Sequence, residues 1–158
     1  MRDKKTQEKL FDRFSQALVG LSVSHVWRGY GSAIFLEFGL LRRTTRLDGA
    51  KGNPSGKMTL MIEWSWRIEG PQSILCGSWS DAPRWPKFFA KLTKTKVVAV
   101  SLLGRLNEID IELSNGMHVV SFSTIEGQPH WSLGDRESKS WLYAKSGKLF
   151  IEKQRTRK

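Results

Sequence analysis

The chain has 158 residues, with 26 Lys and Arg against 15 Asp and Glu, a formal charge of +11. That length suits a single domain, 1–158, and a domain of this size hides roughly 68–70% of its unfolded surface without staples. The single Cys76 excludes a disulfide framework and a cysteine-rich zinc site, and His25, His118 and His130 lack metal-ligand spacing, so no metal or cofactor is expected.

Residues 5–18 read as a helix: Leu10, Phe11, Phe14, Ala17 and Leu18 share a face, and Gly20 is a natural stop. From Leu21 to Asp81 the period changes to two. Over 58–68 the even positions Met58, Leu60, Ile62, Trp64, Trp66 and Ile68 are apolar, which predicts one long strand with Trp64 and Trp66 inward. Segment 32–38 alternates less cleanly, and 48–57 is a loop by composition. A second helix follows, with Asp81 available as its cap and Pro83 and Pro86 confined to its start. Its apolar face is Trp85, Phe88, Phe89 and Leu92. Strand-like runs occupy 96–103, 107–113, 117–123, 129–133, 139–144 and 148–152. Asn115-Gly116 predicts a two-residue hairpin that sets Leu113 opposite His118 and Ile111 opposite Val120. Ser146-Gly147 closes another hairpin.

Phe11, Phe14, Leu18 and Val23 recur 74 residues later as Trp85, Phe88, Leu92 and Val97. Ile68-Glu69-Gly70 leading to Trp79-Ser80 is echoed by Ile125-Glu126-Gly127 leading to Trp131-Ser132. A duplicated helix-plus-meander unit, 5–81 and 82–153, accounts for both, although apolar spacing also recurs by chance. The expected fold class is α+β, with two helices packed on predominantly antiparallel sheet and a basic C-terminal tail, 153–158.

The positive charge is local. Seven of the eleven charges lie in residues 1–5 and 145–158. The remainder hides two basic segments in an otherwise acidic body. Segment 42–57 holds Arg42, Arg43, Arg46, Lys51 and Lys57 against Asp48 alone; segment 84–96 holds Arg84, Lys87, Lys91, Lys94 and Lys96 with no acid. The spacing of Arg84, Lys87, Lys91 and Lys94 places them on one stripe of the second helix, opposite its aromatic face. Such a stripe is commonly a solvated face; it also suits phosphate or an acidic protein surface.

Enzyme motifs are weak. Gly52-Asn-Pro-Ser-Gly56-Lys57 has three residues between its glycines where a phosphate-binding loop has four, and Met58 follows where Ser or Thr should. Cys76 sits in an apolar strand context without a base, which predicts a buried, inert thiol. His25 and His118 read as core or rim residues and His130 as the exposed one. A histidine partnered by Glu37, Glu69, Asp81 or Glu126 is the only catalytic option. The seven tryptophans read mainly as core, with one or two free to anchor a partner. A charged opening segment and the absence of a long apolar run predict neither signal peptide nor membrane span, hence a cytoplasmic location.

The strings Gly31-Ser-Ala-Ile-Phe-Leu-Glu-Phe-Gly39, Trp64-Ser-Trp-Arg-Ile-Glu-Gly70, Gly77-Ser-Trp-Ser-Asp81 and Glu126-Gly-Gln-Pro-His-Trp131 resemble a family of bacterial proteins defined only as a domain of unknown function. The resemblance covers residues 20–150 and implies a bacterial, cytoplasmic, β-rich domain with no transferable activity. The expected function is a non-enzymatic protein-binding module with an acidic partner. The alternatives are nucleic-acid binding through 42–57 and 84–96, and a small enzyme with a histidine–carboxylate site.

Overall fold

The computed structural model describes residues 4–154 and has the α+β composition expected. Arg2 and the tail residues Arg155, Arg157 and Lys158 lie outside the described residues. Helix α1 spans Lys4–Leu18 and is followed by β1 (Val23–Arg28), β2 (Ile34–Phe38), β3 (Met58–Ile62), β4 (Trp66–Glu69) and β5 (Ile74–Gly77). A 3-10 turn, Ala82–Arg84, leads into α2 (Trp85–Leu92). Then come β6 (Val97–Leu103), β7 (Glu108–Leu113), β8 (His118–Ser121), β9 (Trp131–Asp135), β10 (Ser140–Lys145) and β11 (Lys148–Lys153).

The strands form two antiparallel sheets, ordered β1-β2-β3-β9-β10-β11 and β5-β4-β8-β7-β6. Each half of the chain therefore contributes to both sheets. A meander is laid down after each helix, and the chain then crosses to the opposite sheet, at 63–65 in the first half and 122–130 in the second. One buried cluster joins Phe14 and Leu18 of α1, Trp85, Phe88 and Leu92 of α2, and the inward residues of both sheets, among them Ile34, Leu60, Ile111 and Leu142.

The crossing corrects the long-strand expectation. The run 58–68 is two strands, because the chain leaves one sheet after Ile62 and enters the other at Trp66. Ser65 is buried at the break and Trp64 is 46% exposed while Trp66 is fully buried, so the two tryptophans do not share a face. The Asn115-Gly116 hairpin is also out by one residue. Leu113 N–H donates to Met117 O, Ile111 faces Val119 and Glu112 faces His118, so the loop has three residues with Gly116 at φ +81°. That is a turn closed by a glycine bulge rather than a two-residue turn. Asp81 precedes the 3-10 turn but its carboxylate makes no cap bond.

The two helix exits meet at a seam whose bonds repeat at the 74-residue offset. Ser22 and Lys96 form a bridge. Gly20 N–H donates to Val97 O and Lys94 N–H to Val23 O; Val97 N–H donates to Leu21 O and Val23 N–H to Thr95 O. Gly20 and Lys94 both have positive φ, +91° and +71°, the left-handed residue that ends a helix. Both meanders bulge at the same place, between Val23 and His25 and between Val97 and Ala99. Trp66 and Trp131 match too, their indoles donating to Ser32 O and Asn107 O. The second sequence echo has no structural counterpart. Ile68-Glu69 lies in β4 and Trp79 in a turn, whereas Ile125–Gly127 lies in a loop and Trp131 opens β9.

Candidate functional site

Three surfaces carry the residues singled out by the sequence. The first is α2. Its buried side is Trp85, Phe88 and Leu92, packed toward β1 and β5. Arg84, Lys87, Lys91 and Lys94 are all exposed. Only Lys87 and Lys91 lie within the helix; Arg84 closes the 3-10 turn and Lys94 follows the helix end, so the stripe is shorter than the spacing predicts. Arg84, Lys87 and Lys91 gather over the Phe88 ring at 6.0, 5.7 and 5.3 Å from its centroid. These cation–π contacts hold the charges close to the helix surface as a compact patch.

The second surface is the outer side of the six-stranded sheet. Strand alternation sets two rows there. One is His25, Glu37, Thr59, Gly134, Trp141 and Glu152; the other is Trp27, Phe35, Met61, Ser132, Tyr143 and Phe150. Trp27 stacks on Phe35 at 4.0 Å and Tyr143 on Phe150 at 5.5 Å. Trp141 lies across Gly134 so closely that a Cβ there would fall inside the indole, and the residue remains 40% exposed. The basic arm, residues 40–57, stands over one end of this face. It is an irregular hairpin with bridges at Arg42–Ser55 and Thr45–Lys51. Arg42, Arg43, Arg46 and Lys51 are exposed, and Arg46 pairs with Asp48 at 3.4 Å.

The arm is fixed by a residue that alternation alone could not identify. Glu37 points to the outer face yet is only 2% exposed. Its carboxylate accepts from Trp27 Nε1, from Gly56 N–H at 3.3 Å and from Thr59 Oγ1. Arg136 adds bonds to Ser55 O and Leu40 O, and His25 Nε2 lies 3.0 Å from Asn53 Oδ1. A Cβ at Gly56 would stand 2.5 Å from both Phe38 N and Phe38 O, so this glycine is required by close approach to β2, with no phosphate-loop geometry. Both basic segments lie along edge strand β1. The arm meets it at His25, and α2 meets it at Arg28, whose guanidinium is 4.7 Å from the Trp85 ring centroid.

The third surface is at the crossovers. Trp79 is 90% exposed in the turn after β5. With Trp64, Ile125, Ser32, Ser65, Ser78 and Thr124 it lines a cleft of about 490 Å³. Arg67, Ile74 and Phe122 continue the surface on the far side of Trp79. Ile74 and Ile125 are also exposed, so large apolar side chains cluster here beside the approach to α2. Of the seven tryptophans, Trp64, Trp79 and Trp141 are exposed, more than a core reading allows. Their inward alternation fails because Trp64 and Trp79 lie where the strands have ended.

The histidines differ from expectation. His118 is on the outer face of the five-stranded sheet, opposite Glu112 and Glu69, and not on an apolar face. The one-residue register difference turns it outward, where its Nδ1 lies 2.8 Å from Asp110 Oδ1. That is the only histidine–carboxylate contact at hydrogen-bond distance among the described residues. His25 faces Glu37 across the strands but bonds Asn53 instead. His130 is half-buried rather than exposed, held by Glu63 N–H donating to its carbonyl. Cys76 is buried, and that burial pushes its thiol above the ordinary value of 9.0. A raised thiol pKa lowers the thiolate fraction that nucleophilic attack requires. No cluster of metal-ligating side chains exists among the described residues, and no described helix is long and apolar enough to cross a membrane. No family model, curated protein or solved structure matches the chain.

Proposed function

We propose that the protein is a non-enzymatic binding module for a protein with an acidic face. The observation that carries this reading is Trp79, 90% exposed beside Trp64 and Ile125 in a cleft, five residues before the segment that bears Arg84, Lys87 and Lys91. Large aromatic side chains left in water beside a cleft are the usual anchors of protein interfaces, and flanking charge selects the partner. The complementary surface is an apolar pocket with an acidic rim. A bacterial, cytoplasmic setting belongs to the same proposal and rests on the sequence resemblance alone.

The test is a native pull-down with the intact chain, a Trp64→Ala/Trp79→Ala pair and a Lys87→Glu/Lys91→Glu pair. The expected result is an acidic protein retained by the unaltered chain, resistant to nuclease, released by high salt and lost in both variants. Retention by both variants, or release by nuclease, overturns the reading.

A second reading, binding of single-stranded nucleic acid, is favoured by the arm with Arg42, Arg43 and Arg46 standing over a face that displays the Trp141 ring. Exposed ring faces stack on bases while a basic groove tracks the backbone. About four phosphate contacts would give a slope of log affinity against log salt near −2.8 for a single strand. Anisotropy with labelled oligonucleotides tests it, and binding unchanged by Arg42→Ala/Arg43→Ala/Arg46→Ala eliminates it.

A further inference from the structure

Trp79 stands between two hollows. One, of about 490 Å³, holds four hydroxyl side chains and no charged one; the other, of about 290 Å³, holds Arg67 and Phe122. They share only Ser78 and Trp79, so the indole is the partition and offers a face to each. The turn that carries it is fixed. Gly77 N–H donates to Ser80 Oγ and Ser80 N–H to Gly77 O, both at 2.9 Å, and Trp85 Nε1 donates to Ser80 O at 3.0 Å. The backbone is therefore pinned on both sides of Trp79, and Arg84, which precedes Trp85, is held next to the turn. An anchor already on a fixed backbone loses little freedom when a partner covers it.

The indole donors supply a second observation. Trp27, Trp66, Trp85 and Trp131 each donate Nε1–H to an oxygen of the chain, whereas Trp64 and Trp79 donate to none among the described residues. The first hollow thus presents ring faces, free N–H donors and hydroxyls, with no charge. Its complement is a segment that combines apolar surface with unspent carbonyl oxygens. A helix or a paired strand uses its carbonyls internally; a polyproline II helix makes no internal hydrogen bonds and keeps them available. Spacing agrees. Atoms packed on opposite faces of one indole lie about 7–8 Å apart, and residues i and i+3 of polyproline II are about 9 Å apart along its axis.

We infer that the partner engages this surface through a proline-rich segment in the polyproline II conformation, with prolines three residues apart straddling Trp79. Its carbonyls accept from the Trp64 and Trp79 indoles, and an acidic residue beyond the prolines meets Arg84. Aromatic-lined grooves that hold preformed polyproline II are a recurrent mode of peptide recognition. The inference rests on the protein-binding reading and specifies the partner's chemistry at the same site.

The experiment is a titration of the full isotope-labelled chain with a capped oligoproline ending in two glutamates, followed through the indole N–H resonances. The controls are a peptide of equal length and charge with alanine in place of every proline, and the oligoproline ending in lysines. The expected result is a saturable shift of the Trp64 and Trp79 indoles with a Kd below about 1 mM, at least about tenfold weaker for the alanine peptide and about threefold weaker for the lysine one. Trp79→Ala should abolish the binding, Trp79→Phe, which keeps the ring faces and loses the donor, should weaken it about threefold, and Trp141→Ala should leave it unchanged. No saturable shift at either indole overturns the inference, as does equal binding of the alanine peptide or oligoproline binding that survives Trp79→Ala. An acidic protein retained through Trp79 in the pull-down, with no oligoproline binding, overturns this inference alone and leaves the protein-binding reading standing.

Discussion

Replacing Glu37 tests whether the basic arm is held by chemistry or merely by chain connectivity. The carboxylate is 2% exposed and accepts three bonds, two of which bridge to β1 and β3, and the third captures Gly56 at the base of the arm. In Glu37→Ala the donors of Trp27 and Thr59 remain within reach of water, since both residues are half-buried, but Gly56 N–H is left buried without an acceptor. An orphaned buried donor costs about 1–3 kcal/mol, and losing the charge-assisted partner of Thr59 adds about 1 kcal/mol. Relief of carboxylate desolvation offsets part of this, so the expected loss is about 2–3 kcal/mol. Glu37→Gln keeps one oxygen acceptor and should lose about half as much. Urea unfolding gives both numbers, and hydrogen exchange at Gly56 reports the arm directly. The alanine variant should exchange there at least about tenfold faster while Leu60 in β3 is changed only by the global loss. Stability within about 0.5 kcal/mol of the parent, or unchanged exchange at Gly56, would refute the account.

The break between β3 and β4 makes unequal demands on adjacent tryptophans. Trp66→Ala should cost about 3–5 kcal/mol in a denaturant titration, whereas Trp64→Ala and Trp79→Ala should each cost less than about 1 kcal/mol. Similar losses at 64 and 66 would mean they share a face after all. Burial raises the thiol pKa of Cys76 in the folded state, so as pH rises above the ordinary value of 9.0 the unfolded chain ionises ahead of the native one. Its contribution therefore makes stability fall as pH rises through that value, and Cys76→Ser, which cannot ionise there, should remove the slope; an unchanged slope in the variant assigns it elsewhere. Gly134→Val would push the Trp141 indole off the sheet, shifting its fluorescence toward that of free indole and costing about 1–3 kcal/mol. An unshifted spectrum would show that the ring does not rest on Gly134.

Local periodicity located the elements because the physics behind them is local. The α1 face, the aromatic side of α2 and all six strands after α2 follow from apolar spacing, and Gly20 from the left-handed turn that ends a helix. What periodicity cannot see is a change of sheet. Met58 through Ile68 alternates without interruption because both strands bury the same parity, and Trp64 keeps the pattern in water. The hairpin at Asn115 carried the right turn residues in the wrong length; one residue of slip was enough to move His118 from the apolar face to the side of Asp110. Glu37 was hidden for a different reason. An acid at an outward position reads as solvated, and only the arm folding back from residue 56 buries it.

The two halves of the chain agree where they make the core and disagree where they expose something to bind. The seam bonds and the bulges coincide at an offset of 74, and the indole bonds of Trp66 and Trp131 correspond at an offset of 65 for the donors and 75 for the acceptors. The departures are few and specific. Where the second half turns in three residues after β7, the first carries the arm with Arg42, Arg43 and Arg46. Where α2 presents Arg84, Lys87, Lys91 and Lys94, the positions 74 residues earlier are Leu10, Arg13, Ala17 and Gly20. Where the first half crosses between sheets in three residues, the second uses a longer loop that brings Glu126 and His130 over a cavity. A core that constrains both halves alike leaves only such departures free to acquire a ligand. Transplanting the three-residue turn in place of residues 40–57 should therefore leave the fold intact once Glu37 is made apolar, because the arm contributes no residue to the buried cluster. The shortened chain should unfold cooperatively in urea and lose any affinity for single-stranded nucleic acid. A chain that fails to fold after that exchange would show that the arm is part of the architecture and that the halves are not separable in this way.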